Sequence, residues 1–263
     1  MKLMKNIARS IRKASLIVLA GASLSAYADS IFRGARGPTE WQADARISVG
    51  ERANDSSKTK SFVNNNIIKY WSGDSLGLFG FASIPYKSVN NGKFNSNGLG
   101  DITIGVGPRG SYTNSIGSLH CSSYAGIVIP IGDSSSKPSL GNNRWDMKFG
   151  IGLTYFTPKR NGEIDFVFDY TIAEPGKLNA SDDIYLGALV GGKVSKHFRA
   201  GAGLIGNIKN SGTQSGNYLL TYRTAVRYIH SKRWHVELWS DVDVASKNMP
   251  SGLAGTLALR YNF

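Results

Sequence analysis

The sequence of 263 residues predicts an all-β fold: an antiparallel transmembrane β-barrel of the outer-membrane type with about 12 strands. Three observations support this prediction: an N-terminal export signal, segments in which apolar residues alternate with polar ones, and connections that are by turns long and short. Outer-membrane barrels have an even number of strands, long extracellular loops and short periplasmic turns. The combination therefore indicates a protein of the bacterial outer membrane.

The first 28 residues have the three regions of a secretory signal peptide. Five basic residues precede an apolar run around 16–24, and Ala26-Tyr27-Ala28 fits the rule for signal cleavage. The apolar run is too short for a membrane-spanning helix. We therefore expect residues 1–28 to be removed on export in a Gram-negative cell, and residues 29–263 to form one barrel domain.

The alternating segments begin after residue 38 and have the length, about 10–13 residues, that a tilted membrane strand needs. They lie near 39–52, 60–72, 76–88, 99–112, 118–131, 145–158, 163–174, 183–195, 198–208, 217–230, 234–246 and 252–263. In the seventh segment, Ile164 and Phe166 alternate with Glu163 and Asp165, so one face suits lipid and the other a polar interior. The second segment, SFVNNNIIKYW, has asparagine on both faces, and its inward face stays unassigned.

The connections differ in length in a regular way. The odd-numbered ones are long and polar, for example NDSSKTK, GDSSSKPSLGNNR and NIKNSGTQSGN, whereas even-numbered ones such as KRNG and SKH are short. In a soluble barrel, nothing requires the connections at one end to be longer than those at the other. Basic residues in the long connections could bind the phosphates of lipopolysaccharide, and the apolar faces would contact outer-membrane lipid.

The last segment, GLAGTLALRYNF, has an apolar face that ends on Tyr261 and Phe263. We expect both residues to lie in the periplasmic aromatic girdle. We also expect Phe263 to be the terminal aromatic residue that the barrel-assembly machinery recognises in proteins similar to this one.

The inward faces collect charges of both signs. If the turn around Lys232 is symmetric, Arg227 lies opposite Glu237 and Arg223 opposite Asp241, where opposite charges stabilise strand pairing. Such charges either stiffen the wall as a salt-bridge network or guide a solute. The candidate lumen-lining residues are Asp165, Asp169, Arg199, Arg223, Arg227, Glu237, Trp239, Asp241, Asp243 and Arg260. Inward aromatic residues either stack against solutes or fill the lumen; they are Phe79, Phe81, Tyr124, Tyr185 and Trp239.

Two motifs that could indicate other functions fit a barrel better. GVGPRG at 105–110 matches a dinucleotide-binding pattern, but no helix follows it. His120 and Ser122 stand two apart, as in a lipid-degrading barrel enzyme, but no suitably spaced asparagine would orient His120. Cys121 is the only cysteine, and no Cys/His spacing suggests zinc. We expect no enzyme activity, no cofactor, no metal and, despite a net charge of +13, no nucleic-acid partner.

Three strings occur in order between residues 98 and 171: GLGDITIGVGPR, GIVIPIGD and LGNNRWDMKFGIGLTYF. With them the sequence resembles the outer-membrane proteins associated with the meta-cleavage pathway of phenol degradation. It departs from the family's pattern at Ile131, which replaces a polar residue. The residues that match the family motif, without a role that can be transferred, are Gly98, Gly100, Asp101 and Gly105.

The resemblance implies a barrel that passes hydrophobic or aromatic compounds, and it brings no catalytic residue. We expect an outer-membrane channel for passive or facilitated uptake of small-molecule solutes, apolar or aromatic ones among them. The alternative is a non-conducting surface barrel whose extracellular loops have a structural or interaction role.

Overall fold

The computed structural model describes residues 41–54, 57–72, 75–174, 181–211, 214–231 and 233–263. The expected signal peptide at 1–28 lies outside the described residues. Regular structure in these ranges consists of strands and one 3-10 turn at Pro158–Arg160. No helix of the described ranges is long and apolar enough to cross a membrane.

The strands follow the predicted segments closely. They are β1 (Trp41–Asn54), β2 (Ser57–Trp71), β3 (Leu76–Asn90), β4 (Asn95–Leu99), β5 (Ile102–Asn114), β6 (Gly117–Ile129), β7 (Asp146–Phe156), β8 (Gly162–Ile172), β9 (Ser181–Lys193), β10 (Phe198–Ser211), β11 (Gln214–Ile229), β12 (Trp234–Lys247) and β13 (Ser251–Asn262).

The strands form one closed antiparallel sheet. Neighbours in sequence are neighbours in the sheet, and β1 pairs with β13 to close the barrel. β4 and β5 both pair with β3, at its two ends, and so occupy a single position in the wall. The 13 strands of the sheet therefore make a barrel of twelve strand positions, which confirms the predicted fold.

A β-bulge divides β4 from β5. The sequence predicts one strand over 99–112 and places residues 95–98 in the preceding long connection, so the prediction is wrong for β4, which pairs with the end of β3. Between the pairs Ser83–Thr103 and Tyr86–Leu99, β3 has two residues whereas the opposite chain has three, 100–102. Such an extra residue bends the strand and interrupts the ladder. The exposed Leu99 and Ile104 lie five residues apart, so the outward face changes parity at the bulge.

The barrel has two unlike ends. We call the end where β1 begins and β13 ends the turn end, and the opposite one the loop end. The connection 130–145 is long and lies at the loop end, as predicted, and eight residues separate the end of β8 from the start of β9 at this end. The prediction of long loops is wrong for the other four connections at this end. Two residues separate β1 from β2 and β10 from β11, three separate β12 from β13, and four separate β3 from β4. Polar segments can still pair their backbone N–H and C=O groups, so these strands continue beyond the apolar band.

Side chains alternate between a buried inner face and an exposed outer face. In β7, Met147 and Phe149 are exposed whereas Lys148 between them is buried. This is the pattern of strands that contact lipid outside and a polar interior inside. The inward face of β2, which the sequence leaves open, carries Val63 and Trp71.

Candidate functional site

The lumen at the turn end holds a network of buried ion pairs centred on Asp44. Its carboxylate oxygens lie 2.9 Å from Arg260 Nε, 2.8 Å from Arg46 Nη2 and 3.1 Å from Lys69 Nζ. Glu237 adds a second anion beside these cations: its Oε1 lies 3.3 Å from Arg260 Nη1. Arg260 therefore joins the two carboxylates across β1, β13 and β12.

The network continues along the wall. Arg227 Nε donates to Glu237 at 2.6 Å, and Arg199 forms an ion pair with Glu163 on β8. Arg227 is directly opposite Glu237 in the ladder, as the symmetric turn predicts. A buried charge is tolerated only when it is paired, so each member of this network depends on the others.

The middle of the lumen combines an ion pair with an aromatic ring. Arg223 is opposite Asp241, as predicted, and its Nε and Nη2 donate to the two carboxylate oxygens at 2.7 Å each. Its Cζ lies 4.9 Å from the ring centroid of Trp239, and that of Arg46 lies 5.3 Å away. Arg223 Nη1 and Trp239 Nε1 are buried and have no hydrogen-bond partner within the described ranges. Two buried donors on the inner face are therefore unsatisfied.

The other predicted lumen carboxylates accept hydrogen bonds from neighbouring strands. Asp165 accepts from Thr154, and Asp169 accepts from the Tyr124 hydroxyl at 2.6 Å. Asp243 accepts from Thr221 Oγ1, Arg52 Nε and the Gly252 amide, at 2.6, 3.0 and 2.9 Å. All ten candidate lumen-lining residues thus lie on the inner face with polar or charged neighbours; their part in solute transport belongs to the proposal below.

An aromatic cluster lines the opposite side of the lumen, on β2, β3 and β6. The ring centroids of Trp71 and Phe79 are 5.8 Å apart, those of Phe79 and Phe81 5.6 Å, and those of Phe81 and Tyr124 4.9 Å. Gly105, one of the family-motif residues, leaves room for this cluster: a Cβ there would lie 2.6 Å from Phe81 Cε1. Sequence reasoning missed Trp71, although pairing it across the short turn with Phe79 could have found it.

A cavity of about 430 Å³ lies in the outer surface of the wall beside this cluster. Outward apolar residues and Tyr124 line it; they include Val106, Pro108, Phe149, Ile151 and Phe168. Here the β5–β6 pairing stops at Val106–Ala125 and resumes at Arg109–Ser122. Both missing pairs need a hydrogen bond from the nitrogen of residue 108, and proline has no N–H.

The remaining sequence candidates are placed as follows. His120 is fully buried on the inner face with its ring 5.6 Å from that of Phe156, and Ser122 shares that face, so neither is directed to lipid. Cys121 is exposed on the outside. The part of the chain that the structure describes contains no group of three or more potential metal ligands. Gly98, Gly100 and Asp101 lie at the loop end, where Gly98 and Asp101 meet the connection 130–145 and Gly100 lies against Lys87.

Comparison with solved structures shows the fold in other outer membrane proteins. An outer membrane channel from Pseudomonas putida F1 superposes with a TM-score of 0.68 at 14% identity, covering 85% of this chain and 95% of that one. The NanC porin gives 0.51 at 8% identity, covering 84% and 100%. The translocator domain of the autotransporter NalP from Neisseria meningitidis gives 0.50 at 11% identity, covering 98% of both.

These likenesses and the closed barrel indicate an outer membrane location. No curated protein sequence matches the chain significantly. The model of the family described as MetA-pathway of phenol degradation matches residues 39–259, which include every described strand except the end of β13. The chain therefore belongs to the MetA-pathway of phenol degradation family, and it has the fold of an outer membrane channel.

Proposed function

We propose that the protein is an outer-membrane channel for passive or facilitated uptake of small hydrophobic or aromatic solutes. The observation that carries the proposal is the aromatic cluster of Trp71, Phe79, Phe81 and Tyr124 inside the barrel. Aromatic rings offer offset and edge-to-face contacts to an aromatic solute. The family's description, which refers to phenol degradation, agrees with this class of solute.

Two further features support an apolar solute. The wall cavity is lined mostly by apolar residues, and Tyr124, which also belongs to the aromatic cluster, borders it. In the lumen, the free donors of Arg223 and Trp239 could bind a carboxylate or phenolic oxygen of the same solute. Contacts of this kind bind and release a solute without covalent chemistry, so we propose transport and no enzymatic step.

The alternative, a non-conducting surface barrel, is favoured by one observation: the charged side chains across the lumen are paired and buried. In that case the loops would carry the function. We further propose that the basic residues of the long loops contact lipopolysaccharide. Recognition of Phe263 by the assembly machinery stays a prediction.

The test is solute flux into proteoliposomes that carry the refolded barrel, with graded sugars and benzoate as a small aromatic acid. We expect benzoate to enter faster than sugars of similar size. Trp239→Phe keeps a ring but removes the Nε1 donor, at a cost of about 1 kcal/mol or roughly fivefold in solute affinity. Equal entry of all solutes by size would mean a general pore, and no flux through a folded barrel would favour the alternative.

A matched pair of variants separates the lumen from the lipid face. Phe79→Leu removes a buried ring of the aromatic cluster, whereas Phe166→Leu makes the same change on the exposed outer face of β8. We expect only the first to reduce benzoate flux, with sugar flux unchanged. The same reduction in both variants would contradict a role for the cluster in solute contact.

A further inference from the structure

The connection 130–145, which we call the β6–β7 loop, is fastened to the inner face of the barrel at the loop end. Asp101 Oδ1 accepts the backbone N–H of Gly132 at 3.0 Å, and Oδ2 accepts that of Asn142 at 2.8 Å. Lys87 Nζ donates to the backbone C=O of Leu140 at 3.0 Å. The Asp101 carboxylate thus holds both limbs of the loop, the first at Gly132 and the second at Asn142. The Lys87 ammonium holds Leu140, just before the second limb.

Both fastening side chains point into the lumen. Lys87 has the parity of the buried Phe81 and Ser83 on β3, and Asp101 has that of the buried Thr103 on β5. Asp101 also interacts electrostatically with Lys87. The base of the loop is therefore fastened by two groups on the inner face of the wall.

The loop also packs closely where it is fastened. Leu140 is only 3% exposed, and a Cβ on Gly98 would lie 3.1 Å from its Cδ1. A Cβ on Gly132 would lie 2.8 Å from the Cα of Gly141, so the two limbs cross in contact. The Leu140 N–H donates to the Asp133 C=O at 2.9 Å and closes the loop upon itself. The three family strings, GLGD, IGD and LGN, meet at this single point.

We propose that Asp101 and Lys87 are positioning residues that hold the β6–β7 loop as a constriction across the loop end of the lumen, and that they thereby set the size limit for solutes. The size limit rests on the proposed channel function, whereas the fastening itself does not.

Chemistry makes Asp101 hard to replace. Its two oxygens each face an N–H donor, so only a group with two acceptors can hold both limbs. In Asp101→Asn one limb would meet an NH₂ group, and donor would face donor. Lys87 would also lose the opposite charge beside it.

The experiment compares Asp101→Asn with Asp182→Asn in refolded full-length barrels. Asp182 is a matched control because it holds the base of the neighbouring loop in the same way: it accepts the Ala173 N–H at 3.0 Å and the Tyr170 hydroxyl at 2.8 Å. Amide hydrogen exchange at Gly132 and Asn142 reports the fastening, and the largest sugar that swells proteoliposomes reports the constriction. For Asp101→Asn we expect about tenfold faster exchange and a larger size limit. Asp182→Asn should change neither.

Each outcome decides. If exchange accelerates while the size limit stays the same, the constriction is overturned and the channel function stands. If wild type and Asp101→Asn both fold but pass no solute, the constriction and the channel function are overturned together. If Asp101→Asn does not fold, Lys87→Met, which keeps the side-chain stem and removes the donor, must raise the size limit or the proposal fails.

Discussion

The two sides of the barrel are built differently. The ionic wall, formed by β1 and β8–β13, carries charged residues whose partners stand on neighbouring strands, as in the pairs Arg227–Glu237 and Asp44–Arg260. The aromatic wall, formed by β2–β7, carries the ring cluster inside, with the buried Lys69 and Lys148 at its two borders, and its ladder is interrupted at Pro108 and bulged at 100–102.

The two walls therefore differ in how easily they deform. Buried ion pairs hold neighbouring strands in one register, because a shift would leave charges without partners. Aromatic rings and glycines do not need a fixed partner on the neighbouring strand. A strand pair that lacks hydrogen bonds at residue 108 also costs less free energy to deform. We infer that the ionic wall holds the shape of the barrel while the aromatic wall meets the solute.

The largest effect should come from breaking the centre of the ionic wall. Asp44→Ala leaves the cations Arg46, Lys69 and Arg260 buried without the carboxylate that they share. Loss of one partner of a buried ion pair lowers the free energy of unfolding by about 3–5 kcal/mol. Urea unfolding of the barrel in lipid vesicles measures the free energy. The control is Glu51→Ala in the same strand, whose partner Lys58 is exposed, and which should change stability little. Equal effects of the two variants would show that the network is solvated.

A smaller loss is expected where the two walls meet. Tyr124→Phe removes the hydroxyl that donates to Asp169 at 2.6 Å and keeps the ring in the aromatic cluster. Hydrogen bonds to charged groups contribute about 1.5–3 kcal/mol, so stability should fall by that order in the same urea assay. Tyr112→Phe, at a ring that is 66% exposed, is the control. An unchanged midpoint for Tyr124→Phe would mean that the walls are independent.

Repairing the aromatic wall should have a modest opposite effect. Pro108→Ala supplies an N–H that can donate to the Ser123 carbonyl, and one net hydrogen bond contributes about 0.5–1.5 kcal/mol. We expect a small gain in stability together with slower benzoate flux. Val106→Ala enlarges the same cavity without a new donor and should not stabilise the barrel. Faster flux in Pro108→Ala would contradict the link between deformability and access.

The smallest effect concerns the β6–β7 loop in acid. Hydrogen bonds from the Ser135 hydroxyl and amide lower the pKa of Asp133 below its ordinary value of 3.8. Its contribution to loop order is therefore complete above pH 3.8 and is lost as the pH falls through the lowered pKa. Titration of the Asp133 carboxyl carbon by NMR should give a midpoint below 3.8. In Ser135→Ala the midpoint should rise; an unchanged midpoint would contradict this cause.

Much of the barrel could be predicted from the sequence because alternation is a strong signal. Strand positions were predicted to within a few residues, and the opposition of Arg223 and Asp241 followed from one symmetric turn. The inward face of β2 could not be assigned, because asparagine stands on both sides and Val63 and Ile67 face inward against the usual polarity.

The fastening of the β6–β7 loop could not be predicted from the sequence for another reason. Asp101 binds backbone N–H groups of Gly132 and Asn142, and backbone donors are the same at every non-proline residue. No residue type therefore marks the partner. The family resemblance identified the residues at this point, but only the structure shows that they meet.

The ion pair between Asp44 and Arg260 also bears on how the barrel forms. It joins residues 216 positions apart and bridges the seam where the last strand meets the first. Contacts between such distant segments form late, because the whole intervening chain must be ordered first. Until β13 arrives, Asp44 must stay in water or be held by Arg46 and Lys69 alone. Closure of the seam is thus the step at which a nascent barrel gives Asp44 its partner on the last strand and pairs the two free edges of the sheet.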